Sequence, residues 1–315
     1  MITALTCAYV IQILFRIGRP TTVCPMTDVY TLGEPLGVVT SGRVRHEGEA
    51  RLDVCGPELT LAVALARLGH DCAYLGKVGG DELGARVLTV LRGEGVDVAD
   101  MRVSEGLPTG LLLRESRVGR EPRTAHYRAG SAGSRLSPGN VPIDRVGAAK
   151  MLHVTGVTAA LGIDAQDAVR AAVGAARTAG VMISFAVEYV PELWPSVREA
   201  EEVLSELACA SHLLFLRQDE LDLVKPALTP EREVVVDRGV KGATVRADRM
   251  RYDVQGRQVP VVDPSGAGEA FAAGYISAAL DGLTPQERLH RGALLGAAAV
   301  TGVSDWQGLP TRAEL

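Results

Sequence analysis

The chain has 315 residues and a formal net charge of -5. That length suits one large α/β domain or two small ones, and either can bury a substantial core. Aliphatic residues and alanine dominate while aromatics are 4% of the chain, which favours alanine-rich helices on a buried sheet over an all-β sandwich. The charge is spread without a basic stripe, so neither nucleic acid nor an anionic membrane is an expected partner.

Cys7, Cys24, Cys55, Cys72 and Cys209 are odd in number and lack paired metal-ligand spacing. They read as buried or free thiols in a reducing cytoplasm, not as a zinc or disulfide framework. Residues 2–17 are apolar, but Arg16 interrupts them and no basic region precedes them. The run is too short to span a bilayer and shows no clear cleavage site. Residues 1–27 are therefore expected to be an extension, disordered or a misassigned start with Met26 as the true beginning. The domain proper is expected over 28–315.

From residue 28 onward, a first strand leads into a glycine turn at Gly33. A helix is expected from Leu59 to Leu68, stopping at Gly69, then a strand from Cys72 to Leu75. Leu83 to Arg92 reads as a helix capped by Gly93. Met151 to Val154, Val181 to Phe185, Leu213 to Leu216 and Val234 to Val236 are compact apolar runs suited to buried parallel strands. Ala165 to Ala179 and Pro195 to Ala210 between them carry helical spacing. Repeated strand–helix units imply right-handed crossovers and a doubly wound, mostly parallel sheet, whose ligand sits beyond the carboxyl ends of the strands. Residues 37–53 and 109–127 instead alternate polar and apolar, the period of half-exposed strands. They are expected to form a small β lid, or, more plainly, surface hairpins.

The most informative segment is Val261-Val262-Asp263-Pro264-Ser265-Gly266-Ala267-Gly268-Glu269. It reads as a strand running into a glycine-rich turn, with a long helix from about Glu269 to Leu280. Small residues at Gly266, Ala267 and Gly268 let a ligand approach unpaired backbone N–H groups at a helix N-terminus, where the dipole favours an anion. A carboxylate one step into the helix can accept a proton from an attacking hydroxyl. Taken alone, such a turn is more often a simple strand–helix connection.

The setting resembles a known family. Asp263-x-x-Gly266-Ala267-Gly268 followed by an acid looks like the C-terminal signature of the ribokinase (PfkB) carbohydrate kinases. The segments 56–69, 76–84, 126–132 and 152–156 extend the likeness, the last two toward 2-keto-3-deoxygluconate kinases. The resemblance implies a ribokinase-like fold and an ATP- and Mg2+-dependent kinase acting on a primary hydroxyl of a small sugar or sugar acid. It assigns Glu269 as base, and the amides at Gly266, Ala267 and Gly268 as the anion hole. Gly56, Thr60, Glu34 and Arg128 would face the sugar, with Arg128 holding a sugar-acid carboxylate as its planar fork allows. Arg217, Asp237, Gly239, Lys241 and Gly242 would lie by the nucleotide and Glu220 by the metal. Related kinases also form homodimers through their lids.

Several positions depart from that pattern. Glu269 stands where the family has Asp, and Ala186, Glu188 and Val190 replace Asp, Asn and Arg. Arg217-Gln218-Asp219-Glu220 keeps only the acid of an N-x-x-E motif, Asp237 replaces a threonine, and Thr60 replaces an asparagine. Three readings follow: a working sugar kinase, a kinase-fold binding protein without phosphoryl transfer, or a repurposed biosynthetic enzyme. Trp194, Trp306 and His153 read as core residues, and Asp81 with Glu82 as the opening of a helix.

Overall fold

The computed structural model describes residues 27–46, 48–117 and 122–315. The expectations about the N-terminal extension, Cys7 and Cys24 fall outside the described residues. The chain begins with β1 (Val29–Leu32), β2 (Leu36–Ser41) and β3 (Arg51–Cys55). Helix α1 (Pro57–Arg67), β4 (Cys72–Leu75), β5 (Lys77–Gly79), α2 (Glu82–Gly93) and β6 (Arg102–Ser104) follow. Then come β7 (Leu111–Glu115), β8 (Arg123–Tyr127), α3 (Ile143–Gly147), β9 (Met151–Thr155), α4 (Gly156–Ala159) and α5 (Ile163–Ala179). The remainder is β10 (Met182–Ala186), α6 (Val197–Ala210), β11 (Leu213–Arg217), β12 (Glu233–Asp237), β13 (Ala243–Ala247), β14 (Met250–Val254), α7 (Ala267–Leu280) and α8 (Pro285–Ala299).

Eight strands form the main sheet in the order β14-β13-β12-β11-β10-β9-β1-β4. Pairing is parallel from β4 to β12 and antiparallel at β13 and β14. The apolar runs become fully covered strands because two separate cores sit on the two faces of the sheet. One core carries α1, α7 and α8, with Leu59, Tyr74, Phe271 and Tyr275; the other carries α5 and α6, with Val169, Phe185 and Leu204. Helix α7 is apolar all round and buried along most of its length, which its alanine and glycine content permits by close approach.

The alternating stretches form a separate four-stranded sheet, β3-β2-β7-β8. This lid sheet has two distinct faces. Leu36, Val38, Cys55 and Leu112 make a small buried cluster on one. Leu52, Val39, Leu113 and Ala125 lie in register on the other, where Leu52 is 45% exposed.

Two sequence expectations need correction. Val261 and Val262 do not continue a strand: no strand is present between Val254 and α7, and both side chains are exposed. The segment is tied instead by the Val262 amide to the Val300 carbonyl at 2.8 Å. Helix α2 also runs through Gly93, and the left-handed glycine that ends it is Gly95, at φ 83°. Other expectations hold. His153 is buried in β9 against the Ser184 hydroxyl, 3.1 Å from Nδ1, and burial pushes its imidazole down to about 3. Trp194 and Trp306 are buried. As a separate fact, no helix among the described residues is long and apolar enough to cross a membrane.

Asp81 caps α2 and also holds the start of the lid. One carboxylate oxygen accepts from the Gly84 amide at 2.8 Å and the Thr109 hydroxyl at 2.7 Å, and the other accepts from the Thr109 amide at 2.7 Å. Asp81→Ala removes all three bonds. It should lower unfolding free energy by about 1–3 kcal/mol in urea denaturation, more than a surface cap alone costs.

Candidate active site

Because six neighbouring strands run parallel, their carboxyl ends share one edge of the sheet. Gly33 and Glu34 follow β1 and Glu188 follows β10, while Gly56 follows β3 of the smaller sheet. Arg217 ends β11 and Asp237 ends β12, and the two are direct partners in register.

The glycine turn closes this edge. Gly266 sits at φ 78°, and a Cβ there would lie 2.1 Å from the Asp305 carbonyl oxygen, so only glycine fits. Asp263 stabilises the approach by accepting from the Ser265 amide at 3.0 Å. Helix α7 begins at Ala267, so the amides of Ala267, Gly268 and Glu269 lie in a first turn that offers them no intrahelical acceptor. A Cβ at Gly268 would meet nothing within 4 Å. The glycine is therefore not demanded by a protein neighbour, and it leaves open space beside these donors.

Glu269 projects from this first turn and makes no ion pair or side-chain hydrogen bond to another described residue. Burial pushes its carboxyl up to about 7; Asp305 and Glu58 add to the shift, while its own amide and Arg114 oppose it. Glu188 faces it across the cleft. Its φ of 40° is unusual for a residue with a side chain, a strain of about 1–3 kcal/mol. Its Oε2 is buried without a hydrogen-bond partner. Burial holds the Glu188 carboxyl well above the usual range, reinforced by Glu269, Glu58 and Glu220 and opposed by Arg217. Glu58 lies beneath, fully buried, taking the hydroxyls of Thr155 and Thr158 at 2.5 Å each.

On the expected sugar side, Gly56 adopts φ 139° with its Cα packed on the Glu34 carbonyl, and Thr60 is buried in α1. Arg128 is neither an exposed lid charge nor a free fork. It is 9% exposed, and its Nε and Nη2 donate to Glu34 Oε2 at 2.7 and 2.5 Å. Ser131 donates to the other Glu34 oxygen. A buried carboxylate needs a cationic partner, and Arg128 is that partner for Glu34; the pair fixes both groups on the expected sugar side.

On the expected nucleotide side, Gly242 is at φ 94°, where a Cβ would fall 1.9 Å from the Val254 carbonyl oxygen. Asp237 caps the Gly239 amide at 2.8 Å, and Lys241 is exposed beside it. Arg217 is half exposed and reaches the Tyr189 carbonyl at 3.2 Å and Glu220 at 2.9 Å. Glu220 is 2% exposed and accepts the Tyr189 and Arg217 amides at 2.7 Å each. Its oxygens are thus occupied by protein donors, which tie the Tyr189 and Arg217 backbones together on the side where the resemblance sets the metal. Among the described residues no three His, Cys, Asp or Glu side chains converge to hold a metal.

Comparison with known proteins settles the kinship. Residues 30–312 match the pfkB family of carbohydrate kinases. The chain belongs to that family. It is 34% identical to a 2-dehydro-3-deoxygluconokinase of Bacillus subtilis (strain 168), with 91% of this chain and 94% of that one covered. A PfkB protein from Polaromonas sp. JS666 superposes with a TM-score of 0.81 at 30% identity, covering 91% of this chain and 98% of that one. An uncharacterized sugar kinase from Pyrococcus horikoshii in complex with ATP shares the fold at a TM-score of 0.82 and 22% identity, covering 91% and 96%. The mostly parallel α/β sheet expected from the strand–helix rhythm, and the ribokinase-like fold that the resemblance implies, are the ones observed.

Sequence reasoning missed Glu58, Arg114 and Asp305. Arg114 did leave a signal: it shares its face of β7 with Leu112, a charge on an otherwise apolar face.

The Glu269 shift has a thermodynamic consequence. The folded state holds this proton more tightly than the unfolded chain, so its contribution to stability falls as pH rises from about 4.5 through about 7. Glu269→Gln lacks that loss. It should be more stable than the native chain by about 1–3 kcal/mol at pH 8, with the gap closing toward pH 4.5 in chemical denaturation.

Proposed function

We propose that this chain transfers the γ-phosphoryl group of ATP to a primary hydroxyl of a small sugar or sugar acid, of the 2-keto-3-deoxygluconate type. The observation that carries the reading is Glu269: a largely buried carboxyl, free of ion pairs among the described residues, beside first-turn amides and poised near neutrality. A base with an affinity near the working pH is the most effective at removing a hydroxyl proton. In the step, the acceptor O–H gives its proton to the Glu269 carboxylate as the oxygen bonds to the γ-phosphorus. The bond from that phosphorus to the bridging oxygen breaks, and ADP leaves. The amides of Ala267 and Gly268 stabilise the charge on the transferring group.

Magnesium enters this reading as a counter-ion carried on the ATP phosphates, because among the described residues the side chains offer no cage of their own. Arg217 is the side chain at this edge best placed to add positive charge near the polyphosphate. With Arg128 already paired to Glu34, the protein supplies less attraction to a substrate carboxylate than a free guanidinium would. Neutral sugars therefore belong in the substrate panel beside sugar acids. A cytoplasmic setting is supported by the free buried thiols of Cys55 and Cys72.

A second reading, binding without transfer, draws support from the excess of carboxylates at the cleft, where Glu58, Glu188 and Glu269 crowd one another. Two measurements separate them. ADP release across sugars, sugar acids and nucleosides should identify an acceptor, with Glu269→Gln lowering kcat about 10²–10⁴-fold. For that acceptor, kcat should rise about tenfold per pH unit below about 7 and level off above it, as Glu269 loses its proton. Thermal stabilisation by a sugar but none by ATP-magnesium, with no ADP released, would favour binding without transfer.

The same reading includes a homodimer through the lid. Its outer face presents Leu52, Val39, Leu113 and Ala125 in register, with Tyr127 62% exposed two residues along β8. An apolar sheet face this open suits a second copy of itself. Light scattering should report a dimer, and Leu113→Lys should convert it to a monomer; a monomeric native chain at micromolar concentration would refute the assignment.

A further inference from the structure

Resting on the kinase reading, we propose that Arg114 is a positioning residue for phosphoryl transfer: it fastens lid strand β7 to the glycine turn and balances the carboxylates beside the base. Arg114 is 6% exposed, on the same lid face as the buried cluster of Leu36, Val38, Cys55 and Leu112. Its Nη1 donates to Asp305 Oδ1 at 2.6 Å and its Nη2 to Asp305 Oδ2 at 3.3 Å, a two-pronged pair. Nη1 also lies 3.4 Å from Asp263 Oδ2.

Both partners belong to the wall of the turn. Asp263 orders the Ser265 amide, and the Asp305 carbonyl packs directly on the Gly266 Cα. The segment carrying Asp305 holds the lid at two further points, with the Trp306 ring nitrogen donating to the Val54 carbonyl at 3.1 Å and Gln307 donating to Asp53 at 2.6 Å. Lid strands β3 and β7 and the anion-binding turn therefore meet in residues 305–307. A lid displaced from its seat would pull Arg114 off Asp305, the residue against which Gly266 is packed.

The same contact governs charge. Glu269 is faced by Arg114 from β7, Asp305 from the C-terminal segment, Glu58 from α1 and Glu188 from the loop after β10. Arg114 is the cation of that set. Without it, Asp305 and Asp263 stand as uncompensated carboxylates next to a site that must admit a phosphoryl group.

The test follows the Glu269 carboxyl directly by NMR of glutamate labelled at the side-chain carboxyl carbon, the signal assigned by its loss in Glu269→Gln. Arg114→Met should move its titration midpoint upward by about one pH unit or more. Arg114→Lys, which keeps the charge but loses the two-pronged pair, should move it less. Arg114→Met combined with Asp305→Asn should bring it back toward the native value. With a responsive acceptor, Arg114→Met should lower kcat at least tenfold and shift the acid limb of its pH profile upward in step, beyond any change in KM. An unmoved midpoint in Arg114→Met, or an acid limb that stays put while the midpoint moves, would overturn the proposal. If Arg114→Met does not fold, Asp305→Asn alone decides: a lowered Glu269 midpoint supports the link and an unchanged one refutes it. A native chain that transfers phosphate to no acceptor sinks the kinase reading instead, and does so without reference to the midpoint.

Discussion

Carboxylates gathered at a helix terminus that attracts anions are the constraint from which the rest of the site follows. The N-terminus of α7 is built for a negative guest, yet Glu269 occupies its first turn, with Glu58, Glu188 and Asp305 around it. In water such groups would ignore one another. Under burial they compete, and each is driven toward its protonated form. Burial, with the crowding added to it, leaves Glu269 half ionised near neutral pH, which suits a base that must take up a proton. It also makes the cleft repel a polyphosphate until cations arrive.

Two departures from the family pattern make sense together in that light. The resemblance sets neutral asparagines where this chain has Glu188 and Arg217. One substitution adds a negative charge and the other a positive one, and Arg217 is the cation that faces Glu188. The exchange keeps the local sum near zero while changing its geometry: the positive end sits on a half-exposed guanidinium and the negative end on a buried, strained carboxyl. A paired change is more readily reconciled with a retained phosphate site than random loss would be. Val190 has no such partner: it puts an uncharged side chain where the resemblance sets an arginine.

The fold was legible almost throughout, because its signals are local. Runs such as Leu213 to Leu216 are too short and too apolar for anything but a covered strand, and alanine-rich segments ending at Gly69 or Gly180 can only be helices with left-handed exits. The failure at Val261 and Val262 has the opposite cause. Two β-branched residues before a glycine turn read as a strand by propensity, but no sheet edge is available there, and the Val262 and Asp263 amides, both on the Val300 carbonyl, hold the segment. The site was half legible. The glycine turn and Glu269 announced themselves by spacing, whereas no spacing announced that Arg128 pairs with Glu34 or that Glu220 accepts the Tyr189 and Arg217 amides. Which of two oxygens a guanidinium chooses is a tertiary fact, absent from any window of sequence.

The lid carries the last step. A sheet that merely covered a cleft could be tethered anywhere along its rim. Here its strongest polar tether, Arg114, is buried and runs to the one segment that also shapes the glycine turn, through the Asp305 carbonyl against Gly266. Burying a guanidinium between two carboxylates costs desolvation on all three groups, and a packed apolar side chain would hold the lid at least as firmly. Adhesion therefore does not account for an arginine at this position. Control of charge does: the residue that seats the lid is also the cation paired with Asp305, one of the carboxylates that load the base, so one contact links seating to the ionisation of the site.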